Sequence, residues 1–154
     1  MFGIFNRKKS INYEENNRRF THTGAFSVLA PANWEQDQSD GHFSLSPPDG
    51  AASFAGNAYR KNSNGFYEFA QLRFESVQEF YSIIDEENII HGDLTVVTRE
   101  YEGIWPDESE PTYYVVNCIE TKNQFISLSI TTSREVFNSK REQYESIILS
   151  IEEA

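Results

Sequence analysis

Three histidines, a single cysteine and 24 acidic residues are the groups on which chemistry could rest in this 154-residue chain. The densest grouping is ANWEQDQSDGH, residues 32–42, in which Asp37, Asp40 and His42 follow Trp34. Carboxylate and imidazole ligands this close can converge on a divalent ion if the loop curls. The spacing matches no ligand loop, however, and the stretch reads as a solvated turn between two strands. Asp107, Glu108 and Glu110 carry the oxygen chemistry of a harder ion such as calcium and invite the same solvated reading. His22, His42 and His91 are too dispersed for a pair of the HExxH kind. No metal and no cofactor is expected.

Covalent and acid–base catalysis fare no better. A nucleophilic cysteine needs an exposed, electropositive setting and a nearby base, whereas Cys118 stands among Tyr114, Val116 and Ile119 in an apolar strand. The carboxylates cluster in runs, Asp85–Glu87 and Asp107–Glu110, which read as exposed ends of elements. A catalytic pair would need two environments that push the proton affinities apart. No catalytic residue is expected, and the chain reads as a non-enzyme.

Binding chemistry is better represented. Aromatic residues make up 14% of the chain, and most must fill the core: Phe26, Phe43, Phe54, Phe69, Phe80, Phe125 and Phe137 all fall in apolar patterns. Trp105 differs, because it stands in the loop IWPDESEPTYY with an acidic run behind it. A rigid aromatic rimmed by charge is the makeup of a binding hot spot; the competing reading is a plug folded under its loop. The expected partner-binding set is Trp105, Asp107, Glu108, Glu110 and Tyr113. The alternative is a small-ligand or ion pocket between sheet and helix, lined by Tyr59, Tyr81 and Tyr101.

Charge narrows the partner. Residues 1–20 hold five Lys or Arg and two Glu, while the rest hold 8 basic and 22 acidic groups, a net of −14 within the overall −11. Such a field repels nucleic acid and steers basic partners. The single cysteine precludes an intramolecular disulfide, no apolar run reaches the ~20 residues of a membrane span, and MFGIFNRKKS reverses the order of an export signal. Cytoplasmic residence is the simplest expectation. The basic opening, 1–19, is expected to be a flexible segment ahead of a single domain, 20–154.

The elements that must position these residues follow from periodicity. THTGAFSVLAP, GHFSLS and ASFAGNAYR read as three strands, the last two joined by a PPDG turn at 47–50. Apolar residues three and four apart, Phe66, Phe69, Ala70, Val77, Phe80, Tyr81 and Ile84, predict a helix over 66–85, with Phe74 off its stripe and a break possible near Ser76. LTVVTREY, TYYVVNCIET and QFISLSITT read as three more strands, the last two a hairpin turning at Lys122 and Asn123. Phe137, Tyr144, Ile148 and Ile151 predict a closing helix capped by Ser133. The order βββ-α-βββ-α is an α+β domain with an antiparallel sheet of about six strands flanked by helices.

Two short motifs carry a resemblance. The strand from Phe26 ending in the apolar-x-x-Pro-x-x-Trp step at Trp34, and the last helix ending in Ser150–Ile151, resemble the PsbP-like superfamily across residues 20–152. That superfamily includes the photosynthetic PsbP proteins, the DcrB lipoprotein type and the bacterial Eag chaperones of type VI secretion effectors. The resemblance implies an α/β/α sandwich and non-enzymatic work, mostly protein binding. The chain departs from the PsbP and DcrB types in lacking their export signal or lipobox. The functional expectation is a protein partner, an effector or toxin of basic character, served by an immunity protein or chaperone.

Overall fold

A seven-stranded antiparallel sheet divides the molecule into two cores. The computed structural model describes residues 16–37 and 42–154. Its elements are β1 (Asn17–His22), β2 (Phe26–Pro31), β3 (Glu35–Asp37), β4 (Phe43–Ser46), β5 (Ser53–Arg60), α1 (Phe66–Gln78), β6 (Ser82–His91), β7 (Leu94–Gly103), β8 (Thr112–Glu120), β9 (Gln124–Thr132), α2 (Arg134–Leu149) and β10 (Glu152–Glu153). The large sheet runs β3-β4-β5-β9-β8-β7-β6, and β1-β2-β10 form a smaller one. Helix α1 covers one face of the large sheet; α2 and the small sheet cover the other.

Period-two alternation assigns the side chains to these faces. On β7 and β8, Val97, Tyr101, Val116 and Cys118 pack against Phe66, Ala70, Phe74 and Val77 of α1. Their neighbours Val96, Val115 and Ile119 point the other way, into a core shared with Phe137, Tyr144, Ile147 and Ile148 of α2 and with Phe20, Phe26 and Val28 of the small sheet. The long hairpin β8–β9 turns where expected, with Thr121 N–H donating to the Gln124 carbonyl at 3.0 Å. Ser133 caps α2 by accepting from the Val136 N–H at 3.1 Å, a contact that stabilises a helix by about 1 kcal/mol. At the other end of α2, Ser150 Oγ donates to the Ile147 carbonyl and accepts the Leu29 N–H at 2.8 Å, which pins the helix to β2. Trp34 is buried, edge-on to Phe54 at 5.5 Å and to Tyr144 at 6.3 Å.

Several expectations are corrected. Among the described residues there are ten strands in two sheets rather than about six: THTGAFSVLAP divides at the left-handed Gly24 into the end of β1 and the whole of β2, which form a hairpin, and β3, β6 and β10 are also additional. Residues 1–15 lie outside the described residues, but the domain begins by Asn17, not residue 20. Arg19 already works inside it, donating to Ser27 Oγ and the Ser150 carbonyl, each at 3.1 Å. The helix expected over 66–85 stops at Gln78, where the Phe80 and Tyr81 N–H groups both turn back to the Val77 carbonyl. Its buried stripe is Phe66, Ala70, Phe74 and Val77, so Phe74 is core and Phe80 is not. Residues 82–91 instead form β6, because the open edge of β7 pairs with them and the β-branched Ile83, Ile84, Ile89 and Ile90 suit a strand.

Candidate functional site

At the end of the sheet where α1 gives way to β6, the loop after β7 lays one aromatic on another. Trp105 stacks on Phe80 with centroids 5.3 Å apart and planes 24° apart, and its Nε1–H donates to Tyr81 Oη at 2.7 Å. Tyr81 in turn stacks on Tyr114 at 5.4 Å. Gly103 makes this possible: a Cβ there would lie 2.7 Å from Tyr81 Cδ1 and 2.8 Å from the Phe80 carbonyl oxygen. The rings stay accessible all the same, with Phe80 59% and Trp105 40% exposed, and Ile83, Ile84 and Ile104 exposed around them. A large apolar surface held by a hydrogen bond and stacking loses little entropy on contact, which is what a docking anchor requires.

The acidic run follows directly. The Glu108 N–H closes a turn onto the Trp105 carbonyl at 2.9 Å, and Thr112 Oγ1 donates to Glu108 Oε1 at 3.4 Å. Asp107, Glu108 and Glu110 are all exposed, so Trp105 and the three carboxylates share one loop. Tyr113 leaves the expected set: it is 2% exposed and its hydroxyl donates to Glu100 on the α2 side of the sheet. Strand alternation sends Tyr113 inward and Tyr114 toward the aromatic stack, a distinction an apolar run such as TYYVV conceals.

Under α2 lies a polar group that sequence reasoning missed. Glu100, 5% exposed, accepts Arg141 Nη1 at 2.8 Å and Nη2 at 3.1 Å as well as the Tyr113 hydroxyl. Thr98 Oγ1 donates to Asn117 Oδ1 at 2.7 Å, and Asn117 Nδ2 to the Leu128 carbonyl at 3.1 Å. Glu87 and Glu145 complete the group around a cavity of about 30 Å³, room for one water and not for an organic ligand. A polar residue at an inward strand position, as Glu100 and Asn117 are, was the available signal.

Burial pushes the Glu87 carboxyl up to about 7, helped by Glu145 and opposed by Arg141. A carboxyl raised above its unfolded value favours the fold while protonated; that contribution is complete below pH 4.5 and lost as pH rises through 7. Glu87→Gln, neutral throughout, is therefore expected to melt about 2–4 °C above the parent at pH 8, roughly 1 kcal/mol after allowing for partial exposure. The gap should close by pH 5. Melting curves at the two pH values check this, and an equal shift at both would place the side chain in water.

The remaining candidates disperse. Cys118 is fully buried, which pushes its thiol up to about 12 and keeps it protonated. Asp37 sits on β3, Asp40 lies outside the described residues, and His42 Nδ1 is hydrogen-bonded to Asn57 Nδ2 at 3.0 Å. Among the described residues no three His, Cys, Asp or Glu side chains are grouped to hold a metal ion. The Asp85–Glu87 run lies within β6, not at the end of an element. Tyr59, Tyr81 and Tyr101 do not share a pocket: Tyr59 borders an open groove beside α1, Tyr81 belongs to the Trp105 stack and Tyr101 is sealed in the core.

No family model and no curated protein sequence matches the chain. Solved structures do. The solution structure of the cyanobacterial PsbP protein, CyanoP, from Synechocystis sp. PCC 6803 superposes with a TM-score of 0.66 at 12% identity, covering 92% of this chain and 94% of that one. A Bacteroides thetaiotaomicron VPI-5482 protein gives 0.61 at 16% identity over 90% of this chain, which spans 49% of that protein. PA94 of Pseudomonas aeruginosa, a protein of unknown function, gives 0.52 at 19% identity, covering 88% and 95%. At such identities the likeness concerns the fold, and the fold is PsbP-like.

Proposed function

We propose that this PsbP-like chain is a non-enzymatic protein-binding module of the bacterial cytoplasm, serving a secreted effector as its chaperone. The observation that carries the reading is the Trp105–Phe80 stack, an accessible aromatic pair fixed by the Tyr81 hydrogen bond and seated on Gly103. Asp107, Glu108 and Glu110 beside it, on a chain of net charge −11, favour a partner segment that combines apolar with basic side chains. Shielding such a segment is a chaperone's task. The same carboxylates favour a second reading, an immunity protein that plugs a basic toxin site, and both readings use the Trp105 loop.

The test is affinity purification from the native host with parent and Trp105→Ala baits, the captured protein being identified by mass spectrometry. An effector or toxin is expected with the parent. Trp105→Ala is expected to weaken it at least tenfold, as loss of a central aromatic anchor does. Because Trp105 is partly exposed, melting should fall by only about 2–4 °C, the equivalent of a lost stacking contact and hydrogen bond. An undiminished yield with the variant would remove the loop from the binding surface.

A further inference from the structure

The partner-binding reading can be taken further at β6. This strand is the edge of the seven-stranded sheet and pairs, among the described residues, with β7 alone. At ten residues it is about twice the usual strand length. Exposed edges are commonly blunted by shortness, proline, charged side chains or a bulge; β6 is long and free of proline, and its charges are the acidic run Asp85–Glu87, which repels an acidic strand and admits a basic one. Its one irregularity lies between Ile83 and Asp85, after which the register with β7 runs unbroken to His91. An edge this long and regular presents a row of main-chain donors and acceptors to an incoming strand.

Its side chains state what that strand must carry. Glu87 and Ile89 point to the α2 face, where Glu87 meets Glu145 and Arg141 of α2 and Glu100 of β7, with Asp85 along its own strand. Arg141 is committed to Glu100 by two hydrogen bonds. Among the described residues, Glu87 thus sits beside three other carboxylates, and the cation that acts on it, Arg141, is hydrogen-bonded to Glu100 instead. On the opposite face Glu86 is paired with Arg99 at 3.4 Å, and Arg99 lies over the Phe74 ring of α1. Ile90, on that same face, is 70% exposed. The Trp105 stack also belongs to the α1 side, through Tyr81 and Tyr114, whose hydroxyl meets Arg73 of α1. One face of the edge asks for cations and the other for apolar groups.

A second copy of the chain does not meet this demand. Antiparallel pairing of β6 with itself about its centre would set Glu86 opposite Glu87 twice over, and directly opposed like charges destabilise a ladder. We infer that β6 accepts an extended segment of the partner as an eighth strand, with Lys or Arg toward Glu87 and apolar side chains toward Ile90 and the Trp105 stack. Main-chain hydrogen bonds supply the affinity and the alternating side chains the selectivity. A cation set beside Glu87 favours its ionised form, so binding strengthens as pH rises through 7, where that carboxyl gives up its proton.

The probe is an acetylated, amidated ten-residue peptide alternating Lys and Val, titrated into the full chain and followed by amide hydrogen exchange. Alternate β6 amides are expected to slow at least tenfold. The same peptide N-methylated at each Val, which keeps every side chain but loses the donors of one edge, is expected to bind at least tenfold more weakly. Affinity for the unmodified peptide should rise several-fold from pH 6 to pH 8 in the parent and stay level in Glu87→Gln. Equal binding of both peptides, or unchanged exchange along β6, would overturn the added strand. A partner captured through Trp105 while β6 exchanges as in the free protein would overturn the strand and leave the binding module standing; no captured partner would overturn both.

Discussion

Gly56→Ala is expected to yield a chain that does not reach the native fold. Gly56 faces Leu128 across the β5–β9 ladder, eight residue pairs long. A Cβ at this position would lie 1.9 Å from the Ser127 carbonyl oxygen and 2.9 Å from Leu128 Cα. Both atoms are backbone of the neighbouring strand, so no side-chain rotation relieves the overlap. The strands would have to part, and among the described residues β5 is what joins β3–β4 to the rest of the large sheet. The expected loss exceeds about 4–5 kcal/mol, beyond the range of ordinary substitutions. Gly24→Ala supplies the contrast, since a Cβ there meets nothing within 4 Å and only the positive φ of 75° opposes it; that strain costs about 1–2 kcal/mol. Circular dichroism and melting of the two variants decide the matter, and a cooperative Gly56→Ala transition near that of Gly24→Ala would show that the ladder can widen.

Arg141→Met should produce the next largest effect. It keeps most of the apolar stem over the Phe137 ring, where the guanidinium now stands at 4.6 Å, and removes the two donors to Glu100. The Glu100 carboxylate is then left buried with the Tyr113 hydroxyl as its remaining donor. Removing one member of a buried pair typically costs 3–5 kcal/mol. Because Arg141 is itself partly exposed, its side chain 39% accessible, the lower figure applies. About 3 kcal/mol corresponds to a fall in melting temperature of roughly 6–12 °C for a domain of this size. The double variant Glu100→Gln/Arg141→Met is expected to recover most of that loss, since the orphaned charge has gone. Loss equal in single and double variants would assign the effect to packing instead.

How far each element was legible follows from how local its cause is. The PPDG turn, the Lys122–Asn123 hairpin, the alternation of Ile126, Leu128 and Ile130 and the Ser133 cap are written within a few residues. Each stands in the structure where its pattern places it, except that Ser127 and Ser129, on the face of β9 the alternation assigns to water, are buried on the α1 side. Residues 79–91 were illegible for the opposite reason. Phe80, Tyr81 and Ile84 continue a helical spacing, and Asp85–Glu87 suit a helix as well as a strand. What decides is β7, whose edge residues 94–102 would otherwise lack hydrogen-bond partners. That demand comes from elsewhere in the chain and overrides local propensity.

The candidate site shows the same division. Trp105 and its carboxylates could be singled out from the loop sequence, because a tryptophan beside an acidic run is unusual in itself. That Trp105 rests on Phe80 rather than under its own loop depends on Gly103 and on the early end of α1. The Glu100–Arg141–Tyr113 group joins β7, α2 and β8 across 41 residues, and no periodicity within one element encodes such a meeting.

The sequence by itself determined the class of fold, the strongly acidic body and the loop that joins Trp105 to an acidic run, since composition, turn chemistry and side-chain period are local properties of the chain. The tertiary structure alone decided that residues 82–91 form an edge of the sheet among the described residues, that Tyr113 turns inward and that Arg141, near Glu87, bonds to Glu100 instead. Those outcomes depend on which distant strands and helices compete for the same hydrogen bonds and the same buried space.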